Sequence, residues 1–238
     1  MRLREAVRTP EAKAPYVRQL FATIADRYDL VTVVLSYGRD RAWKRRLVAM
    51  AAPLDRRTAL DLACGTGDIA YLLSGAGARV VGLDVTPRML ALARRKASPS
   101  LPVPRFVAGD MSDLPFEDAS FDVVTTGYGL RNVPDLARSL REIARVLRPG
   151  GVFLSLDFNR PDNRAVRIVY HVYLTIAGSA LGWILHGDAD TYRYIPESIR
   201  CYPGARSVAR MLIDHGFRDA RWHPVLGGLM AIHRARRD

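Results

Sequence analysis

The sequence predicts a doubly wound α/β domain on a mostly parallel seven-stranded sheet, and three observations carry that expectation. Five short apolar runs alternate with helical patterns through the middle of the chain, which is how parallel strands joined by crossover helices read. Two further runs near the C-terminus are separated only by Leu226, Gly227 and Gly228, a spacing that suits an antiparallel hairpin at one edge of the sheet. The 238 residues, 49% hydrophobic and 25% charged, can bury one large core and are too apolar for a disordered chain.

The elements follow in order. Residues 1–14 are polar and are expected to fray. Residues 15–50 carry a helical pattern with a break at Ser36, Tyr37 and Gly38. Strands are then expected at 58–63, 79–83, 105–108, 121–126 and 152–157, with helices near 68–73, 87–96 and 134–147. The hairpin strands fall at 219–225 and 229–233. Residues 166–185 are nearly continuous apolar sequence, long enough to span a bilayer. Arg167, His171 and the glycines within the run argue against a span. Two readings stay open: a core helix packed on the sheet, or a wall that takes a long apolar tail. By this reading residues 1–52 form an N-terminal helical lid and 53–238 the sheet domain, with 160–204 a helical insertion.

The formal net charge is +12, which invites an anionic partner. Only Lys13, Lys44 and Lys96 are lysines, and the rest of the 36 basic residues are arginines scattered along the chain. A compositional bias explains that pattern, and a surface field useful toward an anionic membrane stays open beside it; a nucleic-acid surface would interleave aromatics with a basic patch. Two cysteines, Cys64 and Cys201, make neither a disulfide framework nor a zinc site, so no metal is expected. No apolar leader stands in the first fifteen residues, and the cytoplasm is the expected compartment.

The chemistry sits at the expected strand ends. Residues 60–68 read Leu-Asp-Leu-Ala-Cys-Gly-Thr-Gly-Asp after the first strand. Gly65 and Gly67 let backbone approach a ligand, yet no Gly-Lys-Ser/Thr follows and no Gly-x-Gly-x-x-Gly is present. The second strand ends at Asp84, where a carboxylate reaches ribose hydroxyls. The third ends at Ala108-Gly109-Asp110-Met111, suited to an adenine amino group and ring, and the fourth at Thr126-Gly127-Tyr128-Gly129. Singly, each acid could be a helix cap or turn residue. In register along one sheet edge they read as a nucleoside site.

Residues 58–157 resemble the class I S-adenosylmethionine-dependent methyltransferases, with a Rossmann-like fold. That likeness implies S-adenosylmethionine as cofactor and S-adenosylhomocysteine as product, held by Asp61, Ala63, Gly65, Thr66, Gly67, Asp84, Val85, Met89, Asp110, Met111 and Gly127. Ala63 stands where the general pattern has its first glycine. Further stretches narrow the resemblance to the quinone C-methyltransferases of menaquinone and ubiquinone synthesis. These are Tyr28-Asp29-Leu30-Val31-Thr32, residues 35–44, Gly127-Tyr128-Gly129-Leu130-Arg131-Asn132-Val133, residues 145–158, residues 194–199 and residues 228–233. Thr32, Asp40 and Asp157 depart from that family's usual Asn, His and Glu.

The resemblance implies methylation of a ring carbon of a prenylated demethylquinol, demethylmenaquinol first, with the demethoxyubiquinone type as its sister. Arg131 is the expected cation beside the phenolate, Tyr28 and Asp29 the lid residues of the catalytic set, and Tyr128, Asn132, Tyr194 and Ser198 the acceptor contacts. An arginine is no base at neutral pH, so water is expected to take the proton, with His171, His186 and His215 as alternative bases. The expected partners are the quinol and, transiently, a membrane surface at its inner face. No nucleic acid is expected, and a homodimer is left open. Two rivals stand beside this: a methyltransferase of the same fold acting on another small aromatic or lipid, at carbon or oxygen, and a non-catalytic cofactor-binding protein.

Overall fold

The computed structural model describes residues 9–98 and 102–238. Three helices come first: α1 (Pro10–Ile24), α2 (Tyr28–Leu35) and α3 (Asp40–Ala49). The expectation of a frayed start fails where it can be checked. Thr9 caps α1 by accepting from the Ala12 N–H, and Pro10 opens the helix, a start signal in the sequence itself. The rest of that stretch, residues 1–8, lies outside the described residues. The break at 36–38 is present, with Tyr37 and Gly38 in the left-handed region.

The sheet follows, with its crossover helices: β1 (Thr58–Leu62), α4 (Asp68–Gly75), β2 (Arg79–Asp84), α5 (Pro87–Arg95), β3 (Arg105–Ala108), β4 (Phe121–Gly127), α6 (Leu136–Val146) and β5 (Leu147–Phe158). The C-terminal part adds α7 (Arg164–His186), α8 (Tyr194–Cys201), α9 (Ala205–Asp214), β6 (Phe217–Val225) and β7 (Met230–Arg237). Spatial order is β3-β2-β1-β4-β5-β7-β6. The first five strands run parallel, and β7 lies antiparallel between β5 and β6. This is the expected seven-stranded sheet. Strand order reverses at β1 and β4, and the crevice there is where open α/β sheets bind ligands.

Both faces are covered, which is why the strands read as unbroken apolar runs. Along β1, Ala59 packs into one core while Leu60 and Leu62 pack into the other, the period of two a strand imposes. Trp43, Leu47 and Val48 of α3 join the first core. Of the three N-terminal helices, α3 thus packs on the sheet, while α1 and α2 supply residues to cavity walls.

Helix α7 is not a core helix. Asn163 caps its start and Gly187 ends it in the left-handed region. Its buried residues are Tyr170, Leu174, Gly178 and Gly182. The two glycines exist for close approach: a Cβ on Gly178 would stand 3.1 Å from the Tyr192 carbonyl oxygen. By length and composition the helix could cross a membrane, and only 22% of its most apolar window is buried. Val169, Ile176, Trp183 and Ile184 are each about two-thirds exposed.

Candidate active site

The turn after β1 sets the geometry. Ala63, Gly65 and Gly67 all have positive φ, so the chain doubles back and aims its amides at the sheet edge. The Gly65 N–H donates to Asp84 Oδ2 at 2.8 Å, and the Thr86 N–H donates to Asp84 Oδ1 at 2.8 Å. Asp84 is thereby fixed across two turns, and burial pushes its carboxyl above the usual range. Gly65, Asp84, Val85, Met89, Asp110, Met111 and Gly127 line one cleft of about 740 Å³, roofed by Ala14, Val17 and Phe21 of α1. Gly67 does not line it. Its missing side chain makes room for Phe106, which a Cβ would meet at 3.0 Å.

Asp61 lies behind the same turn, fully enclosed. Its Oδ1 accepts from Thr125 Oγ1 at 2.8 Å, while Oδ2 has no partner. Burial pushes its carboxyl up to about 7. It opens on a small polar pocket that also reaches Lys44, Thr66 and Asp68. A buried carboxylate oxygen without a donor is costly, and it marks where a cationic group fits.

A second cavity of about 590 Å³ is mostly apolar, walled by Leu20, Ile24, Val31, Leu35, Phe158, Tyr192 and Tyr194 among others. Phe21, Tyr28 and Tyr128 line both cavities, so the two meet at an aromatic aperture. Tyr128 holds a strained position there, with φ at 61°. Its N–H donates to the Leu156 carbonyl at 2.7 Å and its hydroxyl to Asp40 Oδ1 at 2.6 Å. Such a backbone costs of order 1–3 kcal/mol and persists only where neighbours over-determine it. Burial pushes the Tyr28 hydroxyl up to about 12, so at neutral pH it donates rather than takes protons.

Arg131 is the charged residue lining the apolar cavity. It is 6% exposed. Its Nε stands 3.0 Å from Asp157 Oδ1, and its Nη1 donates to Asn132 Oδ1 at 2.9 Å and Ser198 Oγ at 3.1 Å. The guanidinium lies 5.0 Å above the Phe158 ring. Despite the ion pair, its buried Nε forms no aligned hydrogen bond, and no hydrogen bond engages its Nη2 among the described residues.

Several expected contacts fall elsewhere. Ser198 lines neither cavity and instead holds Arg131. Asn132 faces the first cleft, where its side-chain amide donates to the Tyr128 carbonyl. Tyr194 lines the apolar cavity and donates to Asn132 Oδ1 at 3.1 Å. Asp29 touches neither cavity: it accepts from Thr66 Oγ1 at 2.6 Å and pairs with Lys96 at 2.7 Å. That ties α2 to the β1 turn and occupies the Thr66 hydroxyl. His171, His186 and His215 line neither cavity, although His186 Nε2 stands 2.9 Å from the hydroxyl of Tyr192, which lines the apolar one.

The chain's three lysines were missed as site residues, yet all three converge here. Lys13 donates to the carbonyls of Arg131 and Val133, both at 2.8 Å, and burial lowers it to about 8. Lys44 pairs with Asp40 at 2.6 Å and Asp68 at 2.9 Å. Lys96 reaches Asp29, Thr66 and Asp68. The available signal was rarity: in an arginine-biased chain, a lysine stands where a compact ammonium must meet several acceptors.

A family model described as the ubiE/COQ5 methyltransferase family matches residues 9–237. The chain belongs to that family. A demethylmenaquinone methyltransferase of Thermus thermophilus is 42% identical over 216 residues, covering 90% of this chain and 98% of that protein. A ubiquinone/menaquinone biosynthesis C-methyltransferase of Ectopseudomonas mendocina is 38% identical over 231 residues, covering 94% and 90%. Among solved structures, magnesium protoporphyrin IX methyltransferase of Synechocystis PCC 6803 with bound S-adenosylhomocysteine superposes with a TM-score of 0.66 at 16% identity, over 94% of this chain and all of that one. At that identity the likeness speaks for the fold. Membership makes the chain a methyltransferase and accounts for the cleft at the β1–β4 switch point.

Proposed function

We propose that this chain transfers a methyl group from S-adenosylmethionine to a ring carbon of a prenylated demethylquinol, demethylmenaquinol foremost. The observation that carries the reading is a polar cleft at the strand ends opening through an aromatic aperture onto an apolar cavity with a buried guanidinium.

The residues present fit the cofactor. The partnerless Asp61 Oδ2 suits the ammonium of its amino-acid end, with Lys44 nearby for the carboxylate. Asp84 keeps lone pairs for two ribose hydroxyls, worth about 1.5–3 kcal/mol each when charge-assisted. Asp110 suits an adenine amino group, and Met89, Met111 and Val85 offer apolar surface to the ring. When bound, the sulfonium nucleoside supplies an electrophilic methyl and leaves as S-adenosylhomocysteine.

The protein's part is to make the ring carbon nucleophilic and to exclude water. The Nη2 edge of Arg131 holds the hydroxyl next to the reacting carbon as a phenolate, whose charge delocalises onto the ortho carbon. In an apolar cavity that cation lowers the hydroxyl's pKa and stabilises the developing charge. A water takes the hydroxyl proton; after transfer the ring carbon loses its own proton and regains aromaticity. Tyr28 and Tyr128 shape the aperture, and Asp29 keeps α2 closed over the β1 turn. Bringing the two reactants together is the largest contribution, of order several kcal/mol.

The acceptor's tail takes the apolar cavity toward α7. Leu30, Val33 and Val34 of α2 and Tyr37 in the turn after it are exposed, and Tyr37 stacks on Tyr173 of α7 with centroids 6.0 Å apart. We place this face against the cytoplasmic membrane surface while the acceptor is drawn in. Methyl-labelled cofactor with demethylquinol extracted from membranes tests the reaction: label is expected on ring carbon. Label on oxygen alone, or none, overturns the assignment.

A further inference from the structure

A third cavity, of about 680 Å³, lies between α7, α8 and the loop after β5, apart from both cavities of the reaction. Arg160, Arg167 and Arg200 line it together with Ile168, Val172 and Leu174. Arg200 is held by Glu197, Nε to Oε2 at 3.0 Å. Arg160 and Arg167 have no acidic partner among the described residues, although both are half-buried. Two cations facing partly apolar surface without a counter-charge are unfavourable unless an anion joins them. The apolar lining is continuous with the membrane-side face: Ile168 is 54% and Val172 50% exposed.

From this juxtaposition of unpaired guanidinium groups and an apolar floor we propose that the cavity binds the headgroup of an anionic glycerophospholipid. The phosphodiester meets Arg160 and Arg167, for which the planar guanidinium fork is suited. The first methylenes of the acyl chains lie on Ile168, Val172 and Leu174. A free phosphate would use the arginines and leave that floor wet, whereas an amphiphile uses both. The charge of +12 adds a field of the right sign. The site anchors the protein with the exposed face of α7 toward the bilayer. It does not depend on which acceptor is methylated.

The test is calorimetric titration of the whole protein with dihexanoyl phosphatidylglycerol below its micellar concentration. The double variant Arg160→Gln/Arg167→Gln is expected to weaken binding at least about tenfold, since it removes both charge-assisted contacts. Arg95→Gln/Arg210→Gln removes the same charge from exposed positions on α5 and α9, and is expected to change affinity by less than about twofold. Glycerol 3-phosphate is expected to bind at least about tenfold more weakly than the lipid, for want of the apolar floor. Ile168→Ser, at an exposed position that leaves the fold intact, is expected to weaken the lipid and not glycerol 3-phosphate. Equal loss in both arginine pairs would mean a diffuse field, equal affinity for glycerol 3-phosphate would mean a phosphate site, and no lipid binding would end the proposal. A parallel assay with a short-tailed acceptor free in solution separates the readings: no methyl transfer there overturns the reaction and leaves the lipid isotherm standing.

Discussion

The two cavities that meet at Phe21, Tyr28 and Tyr128 are built by opposite means. The cofactor cleft comes from strand ends and the turns that follow them, so hydrogen-bond register sets its geometry: Asp61 pairs with Gly82 on one side and Thr125 on the other, and Asp84 with Ala108. The apolar cavity comes mostly from α1, α2, residues 191–192, α8 and the 3-10 turn Leu130–Asn132, closed by Tyr128 after β4, Phe158 at the end of β5 and Met230 at the start of β7. Side-chain packing and scattered side-chain hydrogen bonds, not strand register, hold the helical pieces in relation. Its charge, Arg131, is kept by Asp157 from β5 and Ser198 from α8. The contrast shows which half is free to change. Helices can be repacked around a different ring or tail, while the strand ends can hardly move without breaking the sheet.

That division predicts separable damage. The largest effect is expected at Arg131. Arg131→Met should lower turnover about 10²–10⁴-fold and change the dissociation constant of the cofactor by less than about threefold, measured by titration. It also strands Asp157, at a cost of about 3–5 kcal/mol, so Arg131→Met/Asp157→Asn, which removes the charge and keeps an oxygen for the Arg131 and Phe158 N–H groups, is the sharper variant. The double substitution should recover the melting temperature and not the rate. Recovery of both would make the guanidinium structural and erase the contrast.

Next comes Asp84→Ala, expected to weaken cofactor binding about 10–100-fold through its lost hydroxyl contacts, with turnover at saturating cofactor little changed. Turnover loss with intact affinity would reverse the roles of the two halves. A smaller effect follows from Asp61. In the free protein its carboxyl titrates near about 7, and a bound ammonium favours the ionised form. Binding therefore releases a proton below that value, and affinity should rise several-fold from pH 6 to 8 and then level. Asp61→Asn should flatten the profile; an unchanged profile would move the ammonium elsewhere. The same raised pKa makes Asp61 stabilise the fold in acid, a contribution lost as pH rises through about 7. Smallest is the latch between cover and turn: Asp29 and Lys96 are 47% and 34% exposed, so a double-mutant cycle with Asp29→Asn and Lys96→Met should couple by about 1 kcal/mol or less. Their effect should appear in KM rather than kcat.

The same division decides what could be read in advance. The sheet and its cleft were legible because a strand end is local: Asp84 and Asp110 close their own apolar runs, and register brings them to one edge without further information. The hairpin was legible from Leu226-Gly227-Gly228. Contacts between distant helices were not. Ser198 looks like an acceptor contact until α8 is seen to aim it at Arg131, and Asp157, noted only as a departure from the family's Glu, proves to be the counter-ion of that arginine. Asp40 and Lys44 stand one helical turn apart on α3, a spacing that invites pairing. That their pair also grips the strained Tyr128 depends on how α3 lies across the sheet, which no local pattern encodes. The apolar run of α7 was ambiguous for a related reason. Hydropathy reports that a surface is apolar, not what covers it.

Helix α1 belongs to both rims. Ala14 and Val17 close one cavity, Leu20 and Ile24 close the other, and Phe21 stands in each, while Lys13 pins the helix to the carbonyls on either side of Asn132. A beam shared by two doorways cannot be raised over one alone. One helix thus sets the rim of both compartments, and any substitution that shifts its packing alters the two together.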